Sequence, residues 1–179
     1  MFSAIILAGG RSSRMGTDKA QLPMNGLPLW LLQQVRLQQA GCDDIQLSHP
    51  QLGTPDQQAG HGPLSGLHTL LPFCEHERVL VLAVDMPWMT AALLRTLIRH
   101  SQEQPVFFKD HYLPCVLHNS SDLQSYIAKQ LHEKGRRSVG ALLSYCAARA
   151  IPCPSPQLLL NTNTPEDWQL ACHASQGGH

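Results

Sequence analysis

Net charge, long apolar runs and paired-cysteine motifs are all missing from this chain. Its 13 Lys and Arg are balanced by 13 Asp and Glu over 179 residues. No cationic surplus is left to track the regularly spaced phosphates of duplex nucleic acid, which is therefore not an expected partner. No apolar run approaches the roughly 20 residues that a membrane-spanning helix requires. The first residues run straight into an apolar segment, with no basic n-region or cleavage site, so a cytoplasmic protein is expected. Six cysteines are scattered without a C-x-x-C pair, and ten histidines without an H-E-x-x-H. They read as filler thiols and dispersed imidazoles in a reducing compartment, not as a disulfide framework or a structural zinc site. Internal repeats, linkers and low-complexity tracts are absent too, so residues 1–179 are expected to form one domain with a core of its own.

What is present is an alternation of short apolar runs and amphipathic stretches. Phe2 to Leu7 reads as a buried strand. Pro28 to Ala40 places Leu29, Leu32, Val35, Leu37 and Ala40 at helical spacing, with Pro28 in the first turn and Gly41 as a stop. Ile45 to Leu47 is a second strand, and strand, helix, strand calls for a parallel crossover. Ser48 to Gly60 is a loop, and Gly62-Pro63 opens a helix from Leu64 to Leu71. Arg78 to Ala83 is almost uniformly apolar, as a central strand buried on both faces must be.

Thr90 caps a helix carrying Leu93, Leu94, Leu97 and Ile98 inward. Pro105 to Phe108 and Tyr112 to Leu117 are strands joined either as a hairpin or by crossing connections. Helices follow from Ser120 or Ser121 to Lys134, stopped by Gly135, and from Ser138 to Cys146. Strands are expected at Arg149 to Cys153 and Gln157 to Leu160, then a helix from Thr164-Pro165-Glu166-Asp167. The series predicts a three-layer α/β/α sandwich, Rossmann-like, with a mostly parallel sheet. Ligands in such folds sit beyond the C-terminal ends of the strands.

One stretch stands out. Leu7-Ala8-Gly9-Gly10-Arg11-Ser12-Ser13-Arg14-Met15-Gly16-Thr17-Asp18-Lys19 follows the first strand and combines three glycines with three cations. Glycines let backbone N–H groups converge on an anion, and Arg11, Arg14 and Lys19 add positive charge, so the segment reads as a phosphate-holding loop. Two common templates do not fit its spacing. The dinucleotide fingerprint needs G-x-G-x-x-G, and here Gly9 and Gly10 are adjacent. The P-loop needs G-K-[ST] after its second glycine, whereas Gly16 is followed by Thr17 and the lysine comes at Lys19.

Residue by residue the stretch resembles the signature L-A-G-G-x-S-x-R-M-G-x-D-K of the nucleotidyltransferases, most closely the molybdenum cofactor guanylyltransferases. Three further segments resemble the same family. Asp85-Met86-Pro87, directly after the buried strand, matches the D-x-P motif whose acid holds Mg²⁺; a helix or turn cap is the alternative reading of that aspartate. Gly62-Pro63-Leu64-Ser65-Gly66 matches a G-P-L-x-G block beneath the nucleotide, or opens a helix and does no more. Asn161-Thr162-Asn163-Thr164-Pro165-Glu166-Asp167 matches the terminal N-x-N-T-P-E-[DE] segment, whose amides suit a pterin edge or serve a structural turn.

The resemblance implies a Mg²⁺-dependent transfer of GMP from GTP to the terminal phosphate of molybdopterin. Lys19, Asp85 and Arg14 would be catalytic. Leu7, Ala8, Gly9, Gly10, Arg11, Lys19, Asp56, Gly62 and Asp85 would hold the nucleotide, Asn161, Asn163 and Arg136 the molybdopterin, and Asp85 the metal. Asp18 would fix the loop through hydrogen bonds. Transient contact with molybdoenzymes or their chaperones is also implied. The chain departs from the family at Ser48-His49, where guanine-specific members carry an asparagine, and in a short loop whose only acid is Asp56. A cytidylyltransferase, a transferase with another phosphorylated acceptor, and a catalytically silent nucleotide-binding protein are the competing expectations.

Overall fold

The computed structural model describes residues 1–9, 18–58, 60–133 and 135–176. Strand β1 (Ser3–Leu7) is followed by a short hairpin of β2 (Pro23–Met24) and β3 (Leu27–Pro28), helix α1 (Leu29–Ala40), β4 (Asp44–Ser48) and α2 (Pro63–Leu70). Next come β5 (Arg78–Ala83), α3 (Ala91–His100), β6 (Val106–Phe108), β7 (His111–His118), α4 (Ser121–His132), α5 (Val139–Tyr145), β8 (Arg149–Ile151) and α6 (Pro165–Gln176). Six strands form one sheet in the order β4-β1-β5-β7-β6-β8. β4, β1 and β5 are mutually parallel, β7 runs antiparallel to β5 and β6, and β8 is parallel to β6. The sheet is therefore mixed but mostly parallel, and β6 and β7 are joined as a hairpin.

The pleat sorts the core into two layers. Ala4 and Ile6 of β1, with Leu80 and Leu82 of β5, face Leu29 and Leu37 of α1, Leu93, Leu94 and Leu97 of α3, and Ala171 of α6. Ile5 and Leu7, with Val79 and Val81, face Leu64, Leu67 and Leu70 of α2 and the leucines of α4 and α5. Successive strand residues point to opposite faces, so a strand apolar at every position needs helices on both sides. This is the expected three-layer sandwich. No helix among the described residues is long and apolar enough to cross a membrane.

Several sequence expectations shift. The Gln157 to Leu160 segment is not a strand but a 3₁₀ turn, Pro156–Leu159. Pro156 has no N–H to give a ladder, and Leu158 N–H closes the turn on Ser155 O at 3.0 Å, burying Leu159. The strand from Arg149 stops at Ile151, before Pro152. Helix α4 ends at His132, two residues short of the predicted Lys134, with Glu133 as its C-cap. The β2–β3 hairpin was not anticipated, although its signal, Asn25-Gly26, takes positive φ at both residues, as a two-residue turn demands. In α1 the fully buried line is Leu29, Gln33 and Leu37, not the all-apolar stripe. Of the cysteines only Cys42 and Cys115 are fully buried. Trp30, Trp88 and Trp168 rim the core, half-buried against it.

Candidate functional site

The C-terminal ends of β1 and β5 lie side by side, with Leu7 paired to Ala83. Beyond β1 the chain stays close to its neighbours: Ala8 N–H donates to Ser48 O and Val84 N–H to Leu7 O, both at 3.0 Å. Of the predicted loop, Gly10, Arg11 and Arg14 lie outside the described residues. The chain is described again from Asp18, which caps a 3₁₀ turn, Lys19–Gln21. Its Oδ1 accepts Ala20 N–H at 3.0 Å, and its Oδ2 meets Gln21 Nε2 at 2.8 Å and buried His49 Nε2 at 2.9 Å. Burial pushes the Asp18 carboxyl up, but the bonds from Gln21, Ala20 and His49 outweigh it and hold the group below the ordinary carboxylate value. Asp18 thus anchors the turn that aims Lys19.

Lys19 Nζ lies 2.9 Å from Asp85 Oδ2, across 66 residues of sequence. Both side chains are mostly shielded, 18% and 16% exposed. Asn161 Nδ2 donates to the other oxygen, Asp85 Oδ1, at 2.8 Å, and Lys19 Nζ also donates to Asn163 Oδ1 at 3.1 Å. Four residues singled out in the sequence therefore form one polar cluster at the strand ends. The two asparagines do not present free amides: each spends one side-chain atom on the Lys19–Asp85 pair. Between them, Thr162 is fully buried and holds Asp85 O through both its N–H (2.9 Å) and its hydroxyl (3.3 Å).

The asparagine segment is itself fixed by a reciprocal cap at the start of α6. Asp167 Oδ2 accepts the N–H groups of Asn163 and Thr164, while Thr164 Oγ1 accepts Asp167 N–H. Those bonds hold the Asp167 carboxyl below its usual range. The cap and the functional reading of this segment, posed as alternatives in the sequence, thus coexist.

A second patch adjoins the first. Ser48 Oγ donates to Asp56 Oδ1 at 2.5 Å, and both groups sit over Gly9, where an added Cβ would come 3.2 Å from Ser48 Oγ and 3.4 Å from Asp56 Oδ2. Gly66 packs beneath: a Cβ there would fall 2.8 Å from Leu7 Cδ2 and 2.9 Å from Ser48 Oγ. Gly62, at φ +69°, makes the backward turn that starts α2. Gly62 starts the helix that carries Gly66, and Leu7, Ala8, Gly9, Asp56 and Gly66 are brought together. Arg136 is not: its side chain is exposed and its N–H donates to Gln130 Oε1. Its neighbour Arg137 turns inward and donates through Nη1 to His61 Nδ1, beside Gly62.

Sequence reasoning noted Ser48 only as a departure from the family, and missed the role of Thr162 and the helix behind Asp85, where Gln33 and Arg36 reach the backbone of the Asp85 turn. The signal in α1 was a polar residue standing in line with Leu29 and Leu37.

A lysine and a carboxylate meeting at the ends of parallel strands beside close-packed glycines suit a nucleotidyltransferase-type domain. The MobA-like NTP transferase domain family matches residues 4–148, and the chain belongs to that family. It is 36% identical over 179 residues to a molybdenum cofactor guanylyltransferase of Xanthomonas euvesicatoria, covering 96% of this chain and 95% of that protein. A protein of the same name from Ectopseudomonas mendocina is 36% identical, covering 92% of this chain and 88% of its own length. Among solved structures, molybdopterin-guanine dinucleotide biosynthesis protein A from Archaeoglobus fulgidus superposes with a TM-score of 0.69 at 18% identity, covering 98% of this chain and 99% of that one. That superposition shows the shared fold.

Proposed function

We propose that this protein transfers GMP from GTP to the terminal phosphate of molybdopterin, its two small-molecule substrates, in the cytoplasm. An oxygen of the acceptor phosphate attacks the α-phosphorus of GTP, the bond to the β-phosphate oxygen breaks, and pyrophosphate leaves. Such a transfer asks little covalent chemistry of the protein, so positioning and charge stabilisation carry most of the work. The observation that supports this reading best is the meeting of Lys19 and Asp85 at 2.9 Å, beside Asn161 and Asn163, at the ends of two parallel strands.

Lys19 is the cation for the triphosphate, with the Gly9 backbone as a close-approach surface. Arg11, Arg14 and Gly10 are assigned to the same loop on the family signature alone. Asp56 is suited to guanine: Oδ1 takes the Ser48 hydroxyl and Oδ2 remains an acceptor for the base's N1–H and N2–H₂ edge. A cytosine edge lacks that paired donor pattern, which disfavours the cytidylyl alternative. Asn161 Oδ1 and Asn163 Nδ2 are left as one acceptor and one donor for a pterin edge. Arg137, held by His61 beside Gly62, is a better candidate than the exposed Arg136 for a phosphate contact.

The donor set fits Mg²⁺. Asp85 is the single shielded carboxylate of the cluster, and its Oδ2 already faces a cation, Lys19 Nζ. Among the described residues there is no group of three or more His, Cys, Asp or Glu able to hold a metal. Magnesium commonly takes one or two carboxylates and completes its shell with phosphate oxygens and water. When bound, it would neutralise charge on the phosphates. Molybdoenzymes or their chaperones, as takers of the product, would make transient contact.

The test is to incubate the protein with each labelled triphosphate, Mg²⁺ and molybdopterin and to measure pyrophosphate and the dinucleotide product. GTP alone is expected to support transfer. Equal release with CTP overturns the base assignment, and no release with any triphosphate favours a catalytically silent nucleotide-binding protein.

A further inference from the structure

The turn that carries Asp85 is held from behind by a polar pair on α1, one residue buried and the other half-buried. Gln33 occupies the centre of that helix's core-facing line, between Leu29 and Leu37, and is fully buried. An amide there costs free energy unless its donors are used. They are used: Gln33 Nε2 donates to Met86 O at 2.8 Å and to Val84 O at 3.3 Å, the carbonyls on either side of Asp85. One turn on, Arg36 Nη2 donates to Pro87 O at 2.7 Å, and its Nη1 approaches Gln33 Oε1 at 3.5 Å. Burial lowers the Arg36 guanidinium to about 10, which leaves it charged at neutral pH. No carboxylate among the described residues lies within ion-pair distance of it.

With Thr162 on Asp85 O, four consecutive carbonyls, those of residues 84 to 87, are held by donors from elsewhere in the chain. Among the described residues the carboxylate itself meets Lys19 and Asn161. The backbone is thus clamped from the core side while the side chain is left for the crevice.

We infer that Gln33 and Arg36 are positioning residues for Asp85, setting the direction of its carboxylate and hence the help a divalent cation gives to nucleotide binding. This rests on the assignment of Asp85 as the metal-holding carboxylate. Groups that orient a metal ligand from behind change metal affinity by about 10- to 100-fold when removed, without touching the ion. A helix that served only to fill the core would carry an apolar residue at position 33 and would leave those carbonyls to another donor.

The experiment compares GTP affinity by calorimetry with Mg²⁺ and with chelator, in the full-length protein without acceptor. The ratio of the two affinities measures what the metal contributes. Gln33→Met and Arg36→Met are expected to cut that ratio about tenfold, with affinity in chelator unchanged within about twofold. Arg36→Lys, which keeps a charged donor, should recover most of it. A role in packing alone would lower the melting temperature and both affinities together, and would leave the ratio within about twofold of wild type; that result overturns the inference. Should Gln33→Met fail to fold, the two Arg36 variants, on the half-buried rim of the clamp, decide it. Asp85→Asn separates the two levels of the argument. If it keeps the wild-type ratio, the metal assignment fails and this inference with it; if its ratio collapses while the Gln33 and Arg36 variants keep theirs, only the positioning role falls.

Discussion

Lys19→Met should tighten the binding of a divalent cation to the nucleotide-free protein while crippling transfer. Lys19 Nζ sits 2.9 Å from Asp85 Oδ2, both groups less than one-fifth exposed. At an effective dielectric near 20 their gross attraction is about 6 kcal/mol, most of it offset by the cost of stripping water from both ions. A metal that needs the same oxygen must displace the ammonium. Removing it relieves a net competition of about 1.5–3 kcal/mol, so Mn²⁺ affinity should rise by about 10- to 100-fold, whereas kcat/KM should fall about 10²-fold or more for want of a phosphate-holding charge. The methionine keeps the aliphatic stem, so packing is preserved. Free Mn²⁺ measured by electron paramagnetic resonance reads the first effect and pyrophosphate release the second. Unchanged or weaker Mn²⁺ binding would refute the competition, and wild-type turnover would remove Lys19 from the reaction.

Two further outcomes follow from the packing. Gly66→Ala would push a methyl into Leu7 and Ser48, and is expected to cost about 1–3 kcal/mol in a denaturant titration and to weaken GTP binding by disturbing the Ser48–Asp56 bond; wild-type values of both would show that the backbone approach at Gly66 is loose. At the other end of the sheet, burial pushes Asp44 up from its ordinary 3.8, but bonds from Ser3, Glu75 N–H and Gln46 and the nearby His76 hold it below that value. A carboxyl lowered in the folded state contributes stability that is present above its unfolded value and lost as pH falls through the folded one. Asp44→Asn should therefore cost about 1 kcal/mol at pH 7, discounted for partial exposure, with the gap to wild type closing below pH 4. A gap that persists undiminished in acid would contradict this.

The acid after β5 and the terminal asparagines were picked out by the resemblance to the family's D-x-P and N-x-N-T-P-E-[DE] segments, and the first loop by its glycines and cations, of which Gly10, Arg11 and Arg14 lie outside the described residues. Unbroken apolar runs placed β1 and β5 almost to the residue, the Gly62-Pro63 opening placed α2 to within one residue, and Thr90 placed the start of α3. Gln157 to Leu160 misled because an apolar run of that length is compatible with a strand or a turn, and the choice fell to the backbone of Pro156. Arg136 and Arg137 are indistinguishable in sequence, since neighbouring loop residues point in different directions; His61, 76 positions away, decides which turns inward.

What the amino-acid order determined by itself was local: which segments are strands and helices, where glycines allow a close approach, and which family signature the chain carries. Only the tertiary structure decided that Lys19 reaches Asp85, that Asn161 and Asn163 serve that pair, and that a buried glutamine on α1 holds the turn from behind. The reason is physical. Periodicity reports which side of an element is apolar, whereas the partner of a polar side chain depends on which distant carbonyl or carboxylate the packed sheet brings within 3 Å of it.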